Sequence, residues 1–201
     1  MGRLDERMER VKPWNASDPF RINGKRMLIV MGILGATLSL DAQRRNFNWV
    51  FASGTWIQFS ADSIFSVPMT DTVSMRNACI SDTTGQFMLL ADDFGLRNAA
   101  FQTVTGGSAA ELGWNAPAAN YLVLPVPGIL DRYAVFINEE PPTARAGWVE
   151  VDMAANGGLG AVVGGMAWYQ DQVSAKLTAT TDLAEEGYWV LVHGEADDAF
   201  H

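Results

Sequence analysis

Beyond residue 43 the apolar runs of this chain are short, and they end at Gly, Asp, Asn or Pro. No helical period is sustained there. A chain punctuated this way cannot build a helix bundle or the crossover helices of a parallel sheet, but it can build many short strands. Nine strands are predicted: Asn48–Ala52, Trp56–Phe59, Asn77–Ser81, Phe87–Ala91, Ala119–Leu124, Tyr133–Asn138, Trp148–Met153, Lys176–Thr180 and Tyr188–His193. Turn chemistry separates them. Ser81-Asp82-Thr83-Thr84-Gly85 and Asn156-Gly157-Gly158 both carry residues that accept turn geometry. The expected fold is all-β and antiparallel.

Composition agrees. The chain is 48% hydrophobic and 18% charged, with 19 glycines and 7 tryptophans, which suits a packed core joined by tight turns. Its net charge of −9 is uneven. Residues 1–43 carry seven basic and five acidic side chains, and residues 44–201 carry seven and eighteen. An acidic body repels phosphate backbones and anionic lipid, so nucleic acid is not an expected partner.

The N-terminus reads as an address. Lys25-Arg26 precedes an apolar stretch from Met27 to Leu40, and Asp41-Ala42-Gln43 forms a small, polar exit. These are the parts of a secretory signal peptide. The stretch is shorter than the roughly 20 residues that a membrane-spanning helix needs. Residues 1–42 are therefore expected to be a leader, with cleavage after Ala42, and residues 43–201 the exported domain with no membrane span.

Within that domain an aromatic strand followed by an acidic or Gly-containing turn recurs. It begins at Trp49, Phe87, Tyr133 and Tyr188, in steps of 38, 46 and 55 residues. Those steps bracket the roughly 40–50 residues of a propeller blade. The expectation is a β-propeller-like domain of the WD40 or kelch kind, incomplete at about two to three blades. A β-sandwich gives similar strands without the period.

Three stretches carry a resemblance. The first is Asn46-Phe47-Asn48-Trp49-Val50-Phe51, running through Gly54 to Phe59. The second is Ala78-Cys79-Ile80-Ser81-Asp82-Thr83-Thr84-Gly85-Gln86-Phe87-Met88-Leu89. The third is Val149-Glu150-Val151-Asp152-Met153 with Asn156-Gly157-Gly158-Leu159-Gly160, then Lys176-Leu177-Thr178-Ala179 and Tyr188-Trp189-Val190-Leu191-Val192-His193. In this order they resemble the propeller-like N-terminal regions of surface proteins exported by the type IX secretion system of gliding bacteria. Those proteins often carry PKD-like modules and a C-terminal sorting domain. The resemblance implies an extracellular or cell-surface, non-catalytic module for protein or glycan interaction. It also implies that a chain ending at Phe200-His201 is truncated and lacks a sorting tail. Ala91-Asp92-Asp93-Phe94-Gly95 departs from the family's usual Tyr-Thr-Asp-Gly.

No catalytic residue or cofactor is expected. Cys79, the single cysteine, lies in an apolar strand and reads as structural. His193 and His201 are the only histidines, too few for a zinc site, and Lys176 is the only lysine after the leader. Gly157–Gly165 lacks the third glycine and the helix of a dinucleotide loop, so it reads as a hairpin. The acidic pairs Asp92-Asp93, Glu139-Glu140, Glu185-Glu186 and Asp197-Asp198 lack calcium-loop spacing and read as solvated turns. Glu195, Asp197 and Asp198 are the best calcium candidates among them. The tryptophans at 49, 56, 114, 148, 168 and 189 could stack on sugar rings, but most are assigned to the core. Two rivals stand beside the binding module. One is a propeller enzyme of the calcium-dependent hydrolase or lyase type. The other is a carbohydrate-binding β-sandwich.

Overall fold

The computed structural model describes residues 44–52, 54–60, 62–114, 119–181 and 187–195. The predicted leader, residues 1–42, lies outside them. The described residues form an all-β fold of thirteen strands. Strands β1 (Asn48–Phe51), β2 (Thr55–Phe59) and β3 (Ile64–Pro68) make an antiparallel sheet. Strands β4 (Asn77–Ser81), β5 (Phe87–Asp92), β6 (Gly95–Asn98) and β7 (Thr103–Ser108) make a four-stranded meander. A second meander holds β8 (Ala119–Pro125), β9 (Arg132–Glu139), β10 (Arg145–Asp152) and β11 (Ala161–Asp171). A hairpin of β12 (Val173–Thr181) and β13 (Tyr188–Gly194) follows.

One parallel pairing, Ala161 with Thr105, joins the two meanders into an eight-stranded sheet ordered β4-β5-β6-β7-β11-β10-β9-β8. The sheet curls until its edge strands β4 and β8 touch, so it is nearly closed and barrel-like.

All nine predicted strands are present, and period-2 alternation explains why. In β5, Leu90 enters one apolar cluster while Leu89 and Ala91 enter another, so the strand is buried on both faces. The larger cluster packs Leu89, Leu96 and Val104 of the first meander against Tyr133, Val135, Ile137, Val149 and Val151 of the second. A second cluster joins Val50 and Trp56 to Phe87 and Leu90, seating β1–β3 on the first meander. A third joins Ala146 to Val173, Val192 and Leu177, seating β12–β13 on the second. Burying each such aliphatic side chain contributes about 1.5–3 kcal/mol.

Four strands escape the sequence reading: β3, β6, β7 and β11. Their sequences are Pro-terminated, four residues long, or interrupted by Gly106-Gly107 and Gly164-Gly165. None has a clean apolar alternation, and each is held by pairing to a better-defined neighbour. A short helix, α1 (Ala109–Leu112), is also new, capped by Ser108 and Glu111 in a reciprocal capping box. The stretch after β10 does form the expected hairpin turn, with Asn156 and Gly157 at positive φ.

The acidic pairs need correction. Asp92 is fully buried and ion-paired with Arg97, and Asp93 accepts a hydrogen bond from the Tyr121 hydroxyl at 2.9 Å. Glu139 is fully buried against Arg145 at 2.7 Å, and Glu140 meets Arg76 at 2.7 Å. Asp92 and Glu139 end their strands, and guanidinium groups from the paired strands β6 and β10 compensate their burial. Glu185-Glu186 and Asp197-Asp198 lie outside the described residues.

The tryptophans also divide differently from expectation. Trp114 is buried, while Trp56 and Trp168 pack against the cores. Trp49, Trp148 and Trp189 are exposed.

Candidate functional site

The β8–β9 hairpin contributes lining residues to three clefts. Pro125 ends β8, Gly128 and Asp131 take positive φ, and the Val126 amide donates to the Arg132 carbonyl at 2.9 Å. Proline and glycine force the reversal, and the two aliphatics after Gly128 are left at the tip. Leu130 is 78% exposed and Ile129 50%.

Three clefts meet around this hairpin. The largest, about 960 Å3, is lined by Arg45, Ile80, Val123–Leu130, Thr181 and Tyr188. Residues of β4, the β8–β9 hairpin and β12–β13, with Arg45 from the segment before β1, therefore converge on it. A second cleft of about 390 Å3 is apolar. Its floor is Phe136 stacked on Trp148, with centroids 6.2 Å apart and planes at 26°. Leu124, Pro127, Tyr188 and Val190 form its walls. Glu150 sits at its rim, bonded to Arg132, whose other nitrogen reaches Asp152 at 3.3 Å. The third cleft has room for a single water, about 20 Å3, among Arg45, Asp82, Asp131, Arg132 and Tyr133.

Electrostatics at this rim come from fixed groups. Partial burial pushes the Asp82 carboxyl up, but hydrogen bonds outweigh it and hold the group below its ordinary value. The Thr84 hydroxyl and the Thr84 amide each donate to Asp82 Oδ1 at 2.8 Å, and the Gln86 amide donates at 2.9 Å. Burial raises the Tyr133 phenol, opposed by the charge and hydrogen bond of Arg45.

The Asp82 turn yields a prediction with a definite sign. A depressed folded-state pKa stabilises above the unfolded value of 3.8 and is lost as pH falls through the folded value. Discounted for solvent screening, Asp82→Ala should cost about 1 kcal/mol at neutral pH. Urea unfolding at pH 7 and again below the Asp82 pKa checks this. An unchanged difference between wild type and variant at the two pH values would refute the assignment.

The other residues singled out by the sequence do not gather here. Cys79 lies half-buried in β4, its thiol donating to the Asn48 carbonyl at 3.1 Å. Burial pushes that thiol up to about 11, which makes it a poor nucleophile. His193 sits in β13 with Nδ1 3.4 Å from Ser174 Oγ. Lys176 is exposed on β12. Of the calcium candidates, Glu195 is exposed just after β13, while Asp197 and Asp198 lie outside the described residues, as does His201. Among the described residues no three His, Cys, Asp or Glu side chains are grouped to hold a metal ion. No helix among them is long and apolar enough to cross a membrane.

Sequence reasoning passed over the hairpin tip. The signal was present in Pro125-Val126-Pro127-Gly128-Ile129-Leu130, where a turn signal runs straight into two aliphatics that no strand claims. No family model, curated protein or solved structure matches the chain.

Proposed function

We propose that residues 44–195 form an arc of a β-propeller that works outside the cell as a non-catalytic docking module for a protein ligand at the β8–β9 hairpin. Support for the propeller comes from repetition. The first strands of the four groups, β1, β4, β8 and β12, each contact the next, and an apolar cluster lies between each neighbouring pair of sheets. Radially stacked meanders about a shared centre are the propeller arrangement. Support for export comes from the basic, apolar and small-residue sequence of the leader and from the type IX resemblance.

The observation that carries the binding reading is the exposed aliphatic tip, Ile129 and Leu130, at the cleft lined by β4, the β8–β9 hairpin, the β12–β13 hairpin and the segment before β1. Aliphatic side chains held out by a rigid hairpin recover their hydration cost only by burial in a partner. A glycan ligand is the second reading, favoured by the Phe136–Trp148 stack beside Glu150. A sugar face would pack on Trp148, and its hydroxyls would meet Glu150 and Arg132.

A peptide library and a glycan panel screened against the purified chain separate the two. Peptide binders that lose affinity about tenfold, or about 1.4 kcal/mol, in Leu130→Asp are the expected result. Glycan binding that disappears in Trp148→Ala and survives Leu130→Asp would favour the second reading. Ligands insensitive to both substitutions would reject the site.

A further inference from the structure

We infer that the cleft floored by Phe136 and Trp148 receives an arginine side chain of the protein ligand. The inference rests on the reading of the β8–β9 surface as a protein-docking site.

The cleft lies on the outer face of the second meander. Trp148 pairs with Phe136, and Glu150 pairs with Ala134, so these four share one side of the sheet. Val135, Ile137, Val149 and Val151 point the other way, into the larger core cluster. The β12–β13 hairpin covers one end of the outer side. There Ala146 packs on Val173 and Val192, and Asn138 Nδ2 donates to the carbonyls of Ser174 at 3.2 Å and Lys176 at 3.1 Å. At the other end Tyr188 and Val190 form a wall and leave the cleft of about 390 Å3. That volume falls in the range of roughly 300–1,000 Å3 found for ligand sites. Trp148 is 36% exposed and Tyr188 37%, so part of each ring is open to a ligand.

The fold already fills two such corners with its own arginines. In the first meander Arg97 is ion-paired with Asp92 and lies 5.5 Å from the Phe94 ring centroid and 5.9 Å from that of Phe101. In the second, Arg145 is bonded to Glu139 at 2.7 Å, and its guanidinium sits 3.6 Å from the Trp168 centroid. Each time a carboxylate beside aromatic rings is met by a guanidinium, whose flat face lies on a ring while its edge donates to the acid. Phe136, Trp148 and Glu150 repeat the rings and the carboxylate. Among the described residues no arginine lies over those two rings.

Charge favours a cation there. Arg132 is ion-paired with Glu150 and shared with Asp152 at 3.3 Å. One guanidinium thus faces two carboxylates, and the rim keeps a net negative charge. Residues 44–201 carry eighteen acidic side chains against seven basic, which draws a cationic segment towards the surface. A lysine ammonium is a compact, strongly hydrated charge and lacks the flat face that stacks on indole.

Titration of the full chain with Nα-acetyl-arginine amide tests this, followed by the indole N–H resonance of Trp148 in nitrogen-15 NMR spectra. The resonance is assigned by its loss in Trp148→Phe. It should shift and saturate at about millimolar probe. The uncharged Nα-acetyl-citrulline amide should bind about tenfold more weakly, because it keeps the shape and loses the charge. Glu150→Gln should weaken the arginine probe by about threefold or more. The citrulline comparison needs no variant, so it decides the matter if Glu150→Gln fails to fold. The indole of Trp49, which is 52% exposed on β1, should not move. Equal binding of the two amides, an equal shift at Trp49, or a folded Glu150→Gln that binds the probe like wild type would overturn the inference. So would a methyl glycoside that moves the Trp148 resonance where the arginine probe does not. Library peptides that remain sensitive to Leu130→Asp while the arginine probe fails would leave the hairpin site standing without this pocket. Arginine binding beside peptides indifferent to Leu130→Asp would keep the pocket and reject the hairpin.

Discussion

Arg97→Leu should remove about 3–5 kcal/mol of folding stability, because it strands a charge inside the first meander. Asp92 is fully buried, and Arg97 is its ion-pair partner. Arg97 also donates to the Thr72 carbonyl at 2.9 Å and lies 5.5 Å from the Phe94 ring centroid and 5.9 Å from that of Phe101. One side chain therefore ties the loop before β4 to the β5–β6 turn. After the substitution, Asp92 keeps only the amides of Ser74 at 3.2 Å and Phe94 at 3.0 Å. Two neutral donors do not compensate a desolvated carboxylate.

The pH dependence has a sign of its own. Burial raises the Asp92 carboxyl even with Arg97 in place, which opposes the shift. A raised folded-state pKa means that the folded state binds the proton more tightly. The penalty is absent below the unfolded value of 3.8 and complete once pH exceeds the folded value. Arg97→Leu removes the opposing charge, so its deficit should shrink as pH falls through the Asp92 transition. Urea unfolding at neutral and acidic pH measures both effects. A neutral-pH loss under about 1 kcal/mol would show that the pair is not the buried anchor described above. Adding Asp92→Asn to Arg97→Leu should recover part of the loss, since no charge then remains to be compensated.

Gly95→Ala should cost about 3 kcal/mol, lowering the melting temperature by about 6–12 °C. Gly95 opens β6 with φ at 124°, where an L residue is strained. A β-carbon there would stand 2.2 Å from the Gly107 carbonyl oxygen and 2.9 Å from the Ala109 amide nitrogen. Both are backbone atoms of β7 and α1, fixed by pairing and by the capping box. No side-chain rotation relieves the clash, so β6 and β7 must separate. Gly165→Ala is the control, because nothing lies within 4 Å of a β-carbon at that site. It should change stability by less than about 0.5 kcal/mol. Equal effects of the two alanines would mean that close backbone approach at Gly95 is not what selects glycine.

How much could be read in advance depended on what each residue's neighbours were. Val135, Ile137, Leu89 and Val151 are apolar at alternate positions of their strands, and alternation is a local property that needs no knowledge of the fold. The Ser81–Gly85 turn was likewise legible, because Asp82 caps its own backbone within four residues. Cys79 lies in the strand expected for it for the same reason. Asp92 and Glu139 were misread because an acidic pair beside a turn has the same local pattern whether water or an arginine lies above it. Arg97 is five residues from Asp92, and Arg145 is six from Glu139. Those spacings have no meaning until β5 pairs with β6 and β9 with β10.

The candidate site divides along the same line. Gly128 and the two prolines before it marked a reversal, yet nothing local said that Arg45, Ile80, Thr181 and Tyr188 would meet beside it. Trp56 and Trp49 are both strand aromatics, and only packing places one inside and the other out. By itself the amino-acid order determined an all-β chain, because short-range alternation and turn residues exclude sustained helix. The curling of eight strands, the pairing of β7 with β11 and the exposure of Leu130 and Trp148 were decided by tertiary structure. These depend on which faces meet, and that is fixed by the joint burial of side chains far apart in sequence.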